Sequence, residues 1–385
     1  MLRVAVYTPN AVTAQAIEQL IQESDRFELV GKGSPIGSAH EIIRTLRNHQ
    51  DPELILLDLT EWEQVCEFAD HLAVHRVPGV IIGFRPSWNR MQQLTFEESG
   101  ILNLLQDPFS LADLEAAAYD ALHRHHPIAN HNVLAFLPAK AGGGCSTVAL
   151  NTAAALAQGN KKVLLMECDR RSGVLSILLN LENPLGLPQA LQNAGRLTRL
   201  EWRKHLVEES GVDLLLANPT QRAPLASWAD YYQMLHFVQR EYSFILADLP
   251  EVINQGTAEV VRCARAVFVV CEPQVPSLIL AGVRCSELES CGIPAENVHI
   301  ILNRWERDRF SLADVERILG RPVFAALPND YRPVNDATMQ SQLVSANSKF
   351  AESCRSLARK LTGGAQASPD RSKFTLLERL GRLAS

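Results

Sequence analysis

The chain has no pair of cysteines at C-x-x-C spacing, although it carries eight of them. They stand at positions 66, 145, 168, 263, 271, 285, 291 and 354, several inside apolar strand-like runs such as AVFVVC. Without paired spacing, zinc-ribbon and dithiol redox chemistry drop out, and the reading is buried free thiols in a reducing compartment. No apolar run approaches the ~20 residues of a membrane span. The N-terminus, MLRVAVYTPN, reads as a strand and a turn and not as a signal peptide. A basic excess is missing as well: the formal net charge is -6, which argues against nucleic acid as a partner. What is there, 385 residues with 46% hydrophobic and 21% charged, is the composition of a globular protein of about two domains.

Both halves alternate short apolar runs with helical patterns, so the expected fold class is α/β, two doubly wound parallel sheets. In residues 1–122 the strands are RVAVYT (3–8), FELVGKG (27–33), ELILLDL (53–59), PGVIIGF (78–84) and ILNLLQ (101–106), with helices at 11–24, near 37–48, and at 110–124, the last capped by Ser110 with Asp113 three residues on. The polar stretch HRHHPIANHN (123–132) reads as a solvated linker, because nothing holds its histidines in a ligand geometry. The second domain, 133–362, offers strands VLAFLP (133–138), KVLLMECD (162–169), VDLLLA (212–217), YSFILAD (242–248), AVFVVCE (266–272), VHIILN (298–303) and PVFAAL (322–327). A tail follows at 363–385: a flexible linker, GGAQASPDRS, and then KFTLLERLGRL. That last segment places Leu376, Leu377, Leu380 and Leu383 on one helical face, with Lys373, Arg379 and Arg382 available to meet anionic lipid.

The chemistry concentrates in Lys140-Ala141-Gly142-Gly143-Gly144-Cys145-Ser146-Thr147, between the strand at 133–138 and a helix at 146–158. A glycine-rich turn in that context wraps phosphates: side chains would block the approach of the backbone, and the helix N-terminus adds partial positive charge. The segment resembles the deviant Walker A motif of the ParA/MinD family, K-G-G-x-G-K-[ST]-[ST]. The resemblance implies that Lys140 reaches across a sandwich dimer to the partner's nucleotide, that Gly142, Gly143, Gly144 and Thr147 line the phosphates, and that the Ser146 hydroxyl ligates Mg2+. Two positions depart from the motif. Ala141 replaces a glycine, and Cys145 replaces the lysine that holds phosphates in its own subunit. Loss of one charged hydrogen bond, about 1.5–3 kcal/mol, weakens binding by roughly 10- to 150-fold and removes a charge used in phosphoryl transfer. A helix N-terminus favours a thiolate at Cys145, but an anion there would repel phosphate, and a cysteine that simply fits is the plainer reading.

Further along, MECDRRSG (166–173) puts Asp169 where the family has an acidic residue near the attacking water. FILADLP (244–250) is similar to Walker B, with Asp248 near the magnesium through water, and IILNR (300–304) is similar to the family's Asn-Arg step, with Asn303 and Arg304 at the nucleotide and Asn303 recognising adenine. The first domain resembles a response-regulator receiver with Asp58 at the phospho-acceptor position. Thr8, Pro9 and Asn10 occupy the turn where the acidic pair would stand, Gly83-Phe84 replaces the switch hydroxyl, and Asp107 replaces the lysine. A receiver-like (flavodoxin-like) domain without its magnesium ligands, ahead of a P-loop ParA/MinD-like domain, is similar to the TadZ/CpaE group of tight-adherence (Flp) pilus-assembly proteins. In that group a proline-containing loop, here LPNDYRPVNDATMQSQLV (327–344), packs near the base. The resemblance implies an ATP- and Mg2+-dependent homodimer with very slow ATPase activity. It also implies a cytoplasmic protein, peripheral at the inner membrane and polar, that recruits pilus or secretion apparatus proteins including the assembly ATPase. Two alternatives stay open: an active MinD/ParA-type ATPase in septum-site or partition positioning, and a regulator acting through phosphorylated Asp58. For the tail, docking on another protein, a disordered segment and contact with the inner-membrane surface are all open.

Overall fold

The computed structural model describes residues 1–36, 52–74, 79–125, 132–182, 185–217, 226–307 and 311–363. The helix expected near 37–48 and the amphipathic segment 373–383 lie outside them. The chain divides into two compact units. One comprises residues 1–131, 191–197 and 224–236, and the other comprises 132–190, 198–223 and 237–385.

The first unit is built on five parallel strands, β1 (Leu2–Tyr7), β2 (Phe27–Gly33), β3 (Leu54–Asp58), β4 (Val80–Arg85) and β5 (Ile101–Gln106), in the order β2-β1-β3-β4-β5. That is the order of flavodoxin-like doubly wound sheets. Both faces are covered, so the strands read as continuous apolar runs. The two-residue alternation sends Val4, Val6, Leu54 and Leu56 to one face, against Ile17, Ile21, Leu114 and Ala118, and sends Ala5, Tyr7, Ile55 and Leu57 to the other, against Val65, Phe68 and Phe96. The helix Leu111–His125 runs into the stretch expected as linker. The reason is packing: the His123 ring lies 4.0 Å from Tyr119, which in turn meets Trp228 edge-on at 4.9 Å. Trp228 and Ala229 complete the same core as Leu114 and Leu122, so residues distant in sequence finish this unit.

The second unit has eight strands in the order β13-β12-β11-β6-β10-β7-β9-β8. They are β6 (Val133–Pro138), β7 (Val163–Glu167), β8 (Val207–Glu209), β9 (Val212–Leu215), β10 (Phe244–Asp248), β11 (Ala266–Cys271), β12 (Val298–Trp305) and β13 (Val323–Pro328). All pairings are parallel except β8 with β9. The antiparallel edge β8 was not expected; three residues with two glutamates give no hydrophobic period. The helix Cys145–Ala157 is buried along Val148, Ala149, Leu150, Ala153 and Leu156, and the helix Lys349–Leu361 packs on it through Phe350, Cys354 and Leu357. The chain leaves β6 in one direction to β7 and returns to its other side with β11. β6 is therefore the switch point of the sheet, where crevices open at the carboxyl ends of strands. The segment expected as a proline loop is a helix, Tyr331–Met339. Pro333 falls in its first turn, where a missing N–H forfeits no helical hydrogen bond.

Trp228→Ala should lower the stability of the first unit by about 3–5 kcal/mol, read as an earlier urea midpoint, because a mostly buried aromatic leaves a cavity that its neighbours fill only partly.

Candidate functional site

Between β6 and the Cys145–Ala157 helix the chain must reverse within a few residues. Gly142 (φ +79°) and Gly144 (φ +83°) do so in the left-handed region. At Gly144 a second constraint acts, since a Cβ there would fall 2.4 Å from the Asn303 amide nitrogen. At Gly142 a Cβ would meet nothing within 4 Å, so the turn faces open space. Gly144 is the N-cap of the helix, and no side chain caps it. The first backbone N–H groups of a buried helix are thus left without a side-chain acceptor, with the positive end of the helix dipole behind them.

The loop is tied from neighbouring strand ends. Ala139 N–H donates to the Val270 carbonyl at 2.9 Å, continuing β6 along β11. Asn303 Nδ2 donates to the Gly143 carbonyl at 2.9 Å, and the Ala141 N–H donates to Glu251 Oε2 at 2.9 Å. Lys140 Nζ lies 3.3 Å from Glu272 Oε2, and Arg304 pairs with the other oxygen of the same carboxylate. Arg304 has φ +54°, and the β12–β13 register shifts between Leu302 and Trp305. This bulge breaks the alternation of the strand, and the consecutive side chains of Asn303 and Arg304 both bond toward the loop side: Asn303 to Gly143, and Arg304 to Glu272.

Asp248 ends β10, 3% exposed. Burial pushes its carboxyl up to about 7; hydrogen bonds from Ser146 and Cys145 pull it down, while the charges of Glu167 and Asp169 add to the rise. Burial, the charge of Asp248 and the hydrogen bond to it hold the Cys145 thiol well above the ordinary thiol range. Cys145 is therefore a neutral donor to Asp248, which agrees with the plainer reading of the sequence and not with a thiolate. Its helix N-terminus is outweighed by its own burial first and by the Asp248 carboxylate second. Glu167, fully buried, accepts from Leu175 N–H at 2.7 Å and Ala217 N–H at 2.9 Å; burial raises its carboxyl against those hydrogen bonds. Asp169 is half-buried and closes its own turn, accepting from Arg171 and Ser172 N–H groups at 3.0 and 2.9 Å.

Lys140, the glycines, Cys145, Ser146, Asp248, Asn303 and Arg304 thus gather around one loop. Asp169 is close enough for its charge to act on Asp248. Thr147 contributes a carbonyl that accepts from Asn151 Nδ2 at 2.8 Å. Asn303 bonds to the loop, an arrangement the expected adenine contact did not anticipate. Sequence reasoning missed Glu272, Glu251 and Glu167. The only signal for Glu272 was an acidic residue ending an apolar strand, the same signal as at Asp248. Among the described residues no cluster of three or more His, Cys, Asp or Glu could hold a metal by itself. The hydroxyl of Ser146 beside the carboxylate of Asp248 is an all-oxygen pair of the kind magnesium takes when phosphates and waters complete its shell, so the residues present fit that ion.

No protein-family model matches the chain. It is 26% identical over 241 residues to the septum site-determining protein MinD of Thermotoga maritima, covering 60% of this chain and 88% of that one. In fold it is similar to a ParA family ATPase from Chlorobium tepidum, with a TM-score of 0.54 and 21% identity over 59% of this chain and 98% of the other. It is also similar to MinD of Pyrococcus horikoshii complexed with Mg-ADP, with a TM-score of 0.50 and 19% identity over 60% of this chain and 95% of the other. Over about 60% of its length the chain thus shares the fold of MinD/ParA-type ATPases and is similar to MinD in sequence. The Pyrococcus horikoshii MinD that shares its fold is complexed with Mg-ADP. Among the described residues no helix is long and apolar enough to cross a membrane.

A carboxyl whose folded value, about 7, lies above its ordinary 3.8 favours the protonated folded state. Metal-free protein should therefore lose stability as pH rises from about 4 to about 7 and stay at the lower level above that, by on the order of a few kcal/mol. Asp248→Asn keeps an acceptor for Ser146 and Cys145. Scanning fluorimetry at pH 8 without divalent ions should show this variant melting above wild type, and it should gain less on addition of Mg2+ and ATP.

Proposed function

We propose that this chain is a nucleotide-responsive assembly scaffold. Its second unit binds ATP with Mg2+ and pairs with a second copy, while turnover is very slow. The observation that carries the reading is the uncapped helix N-terminus at Gly144, with Ser146 and Asp248 in place and a neutral thiol, Cys145, where the motif has a cation. In this reading the N–H groups of 142–147 bind phosphates, Ser146 and Asp248 (the latter through water) hold the magnesium, and Arg304 and Asn303 border the nucleotide. Bound magnesium would supply the charge that offsets the phosphates. Lys140 serves the partner's nucleotide, and Asp169 orients water slowly at best, because Cys145 offers no charge to the departing oxygens.

The first unit supports a scaffold over a signalling role. Asp58 is 5% exposed, and both its oxygens are engaged: Thr8 Oγ1 donates at 2.6 Å and Thr60 N–H at 2.9 Å. A threonine donor stands where magnesium ligands would be required for phosphoryl transfer. Such a pseudo-receiver, used for docking, ahead of a MinD/ParA-type domain is the arrangement of pilus-assembly proteins of the TadZ/CpaE kind. It implies recruitment of pilus or secretion proteins, including their assembly ATPase, at a polar site on the inner membrane. A second reading, an active MinD-type ATPase, is favoured by the kinship to Thermotoga MinD and the retained Lys140, Asp169 and Asp248.

Wild-type protein should bind ATP with Mg2+ and dimerise with very slow turnover, measured by titration, sedimentation and phosphate release; Lys140→Ala should bind but dimerise poorly. Cys145→Lys should tighten ATP binding by roughly 10- to 150-fold and raise turnover. Brisk wild-type turnover would overturn the scaffold in favour of the MinD-type ATPase, and absence of ATP binding would overturn both. Acetyl phosphate with Mg2+ should leave the mass of the protein unchanged; a phosphoryl adduct at Asp58 would restore the regulator reading.

A further inference from the structure

We propose that Glu272 is a positioning residue that holds Lys140 inside its own subunit until a bound nucleotide on a second copy draws it away. The inference rests on the nucleotide-dependent pairing proposed above and adds to it the group that sets when pairing begins.

Glu272 is the first residue after β11, and its side chain is 3% exposed. A carboxylate that deep must be met by donors or counter-charges. Here the two oxygens are shared out, Oε2 to Lys140 Nζ at 3.3 Å and Oε1 to Arg304. The position of the residue does not depend on those partners, because its own backbone N–H donates to Ser277 Oγ at 2.9 Å. The cations differ from the carboxylate in exposure: the Lys140 side chain is 35% exposed and that of Arg304 53%. Either can turn to water or to another anion, whereas Glu272 cannot.

This asymmetry defines an exchange. A lysine docked on Glu272 cannot at the same time extend to a phosphate outside its subunit, so pairing requires the Lys140–Glu272 contact to open. If Lys140 were the only counter-ion, opening would orphan a buried charge and be prohibitive. Arg304 removes that obstacle, since it stays on Oε1 when Lys140 leaves. The left-handed backbone at Arg304, unusual for a residue with a side chain, is what brings a second cation to a carboxylate already served by the loop. Glu272 and Arg304 therefore act through Lys140, one retaining it and the other permitting its release. The contact taxes dimer formation and leaves phosphate binding within one subunit untouched.

Two readouts on the full-length chain separate this proposal from the nucleotide reading. The first uses no nucleotide: acetylation of Lys140 by an N-hydroxysuccinimide ester, followed by peptide mass spectrometry with Lys349 as internal reference. Glu272→Gln should speed acetylation of Lys140 severalfold and leave Lys349 unchanged; equal rates at Lys140 would overturn the proposal. The second uses Mg-ATP at saturation and sedimentation. Glu272→Gln should dimerise at roughly tenfold lower protein concentration than wild type, with the ATP affinity of the monomer unchanged, and should give no gain over Lys140→Ala when combined with it. Dimerisation of Glu272→Gln at the wild-type concentration or above would overturn it. Glu272→Gln leaves two solvent-reaching cations and no buried charge. Should it nonetheless fail to fold, Arg304→Ala tests the opposite sign, with slower acetylation of Lys140 and weaker dimerisation expected; faster acetylation there would overturn the proposal. A wild-type protein that binds no ATP would end the nucleotide reading, while the acetylation rates would still decide whether Glu272 holds Lys140.

Discussion

A carboxylate at the end of a central strand has to be met by something, and the second unit is organised by how three of them are met. Glu167 ends β7 and is met by backbone N–H groups, which fix the chain at 174–175 and 217. Glu272 follows β11 and is met by cations. Asp248 ends β10 and is met only by a hydroxyl and a thiol, both neutral, with two further carboxylates acting on it. Burial first, and those charges after it, push its carboxyl up to about 7. A divalent ion at Asp248 would relieve that cost at the place where the glycine turn opens and the helix N-terminus has no side-chain cap. The site is an arrangement of deficits: an anion without a cation beside a helix end without an acceptor.

The elements that carry this arrangement were largely legible in the sequence, for a physical reason. Strands buried on both faces of a parallel sheet are apolar throughout, so β1, β3, β6, β10, β11 and β12 stand out as runs such as LILLD and AVFVVC. The glycine turn was legible because left-handed backbone and close approach leave few residue choices at Gly142 and Gly144. What escaped depends on which strands become neighbours. That Asn303 bonds to Gly143, and that Lys140 and Arg304 share Glu272, follows from β11 lying between β6 and β12, and no local pattern contains that order. The strand Val207–Glu209 escaped because it is short and two of its three residues are charged, as edge strands are. The hydrogen bond of Cys145 to Asp248 escaped because the two residues stand about a hundred positions apart, although burial alone already keeps the thiol neutral.

The first unit shows the same logic with the opposite outcome. Asp58 is as deeply placed as Asp248, at the end of a central strand, yet the donors around it complete its needs. Thr8 supplies a hydroxyl hydrogen bond and in turn accepts from Asn10 N–H at 3.1 Å, so the turn after β1 is closed on itself and on Asp58 together. A carboxylate with both oxygens engaged is a structural fixture. Substituting one hydroxyl for an acidic pair turns a position built to recruit a metal into one that pins β1 to β3.

The core of the first unit carries a consequence for how such a chain could have arisen. Leu114, Ala118 and Leu122 are covered by Trp228 and Ala229, residues encoded about a hundred positions later and embedded in the sequence of the other unit. A recombination joint placed in the histidine-rich stretch would separate a core from part of its own lining. The pairing of these two units therefore cannot be read as a loose fusion of interchangeable cassettes. With Trp228 and Ala229 closing the first core, a change at Trp228 acts on the fold of the first unit although its flanking sequence belongs to the second.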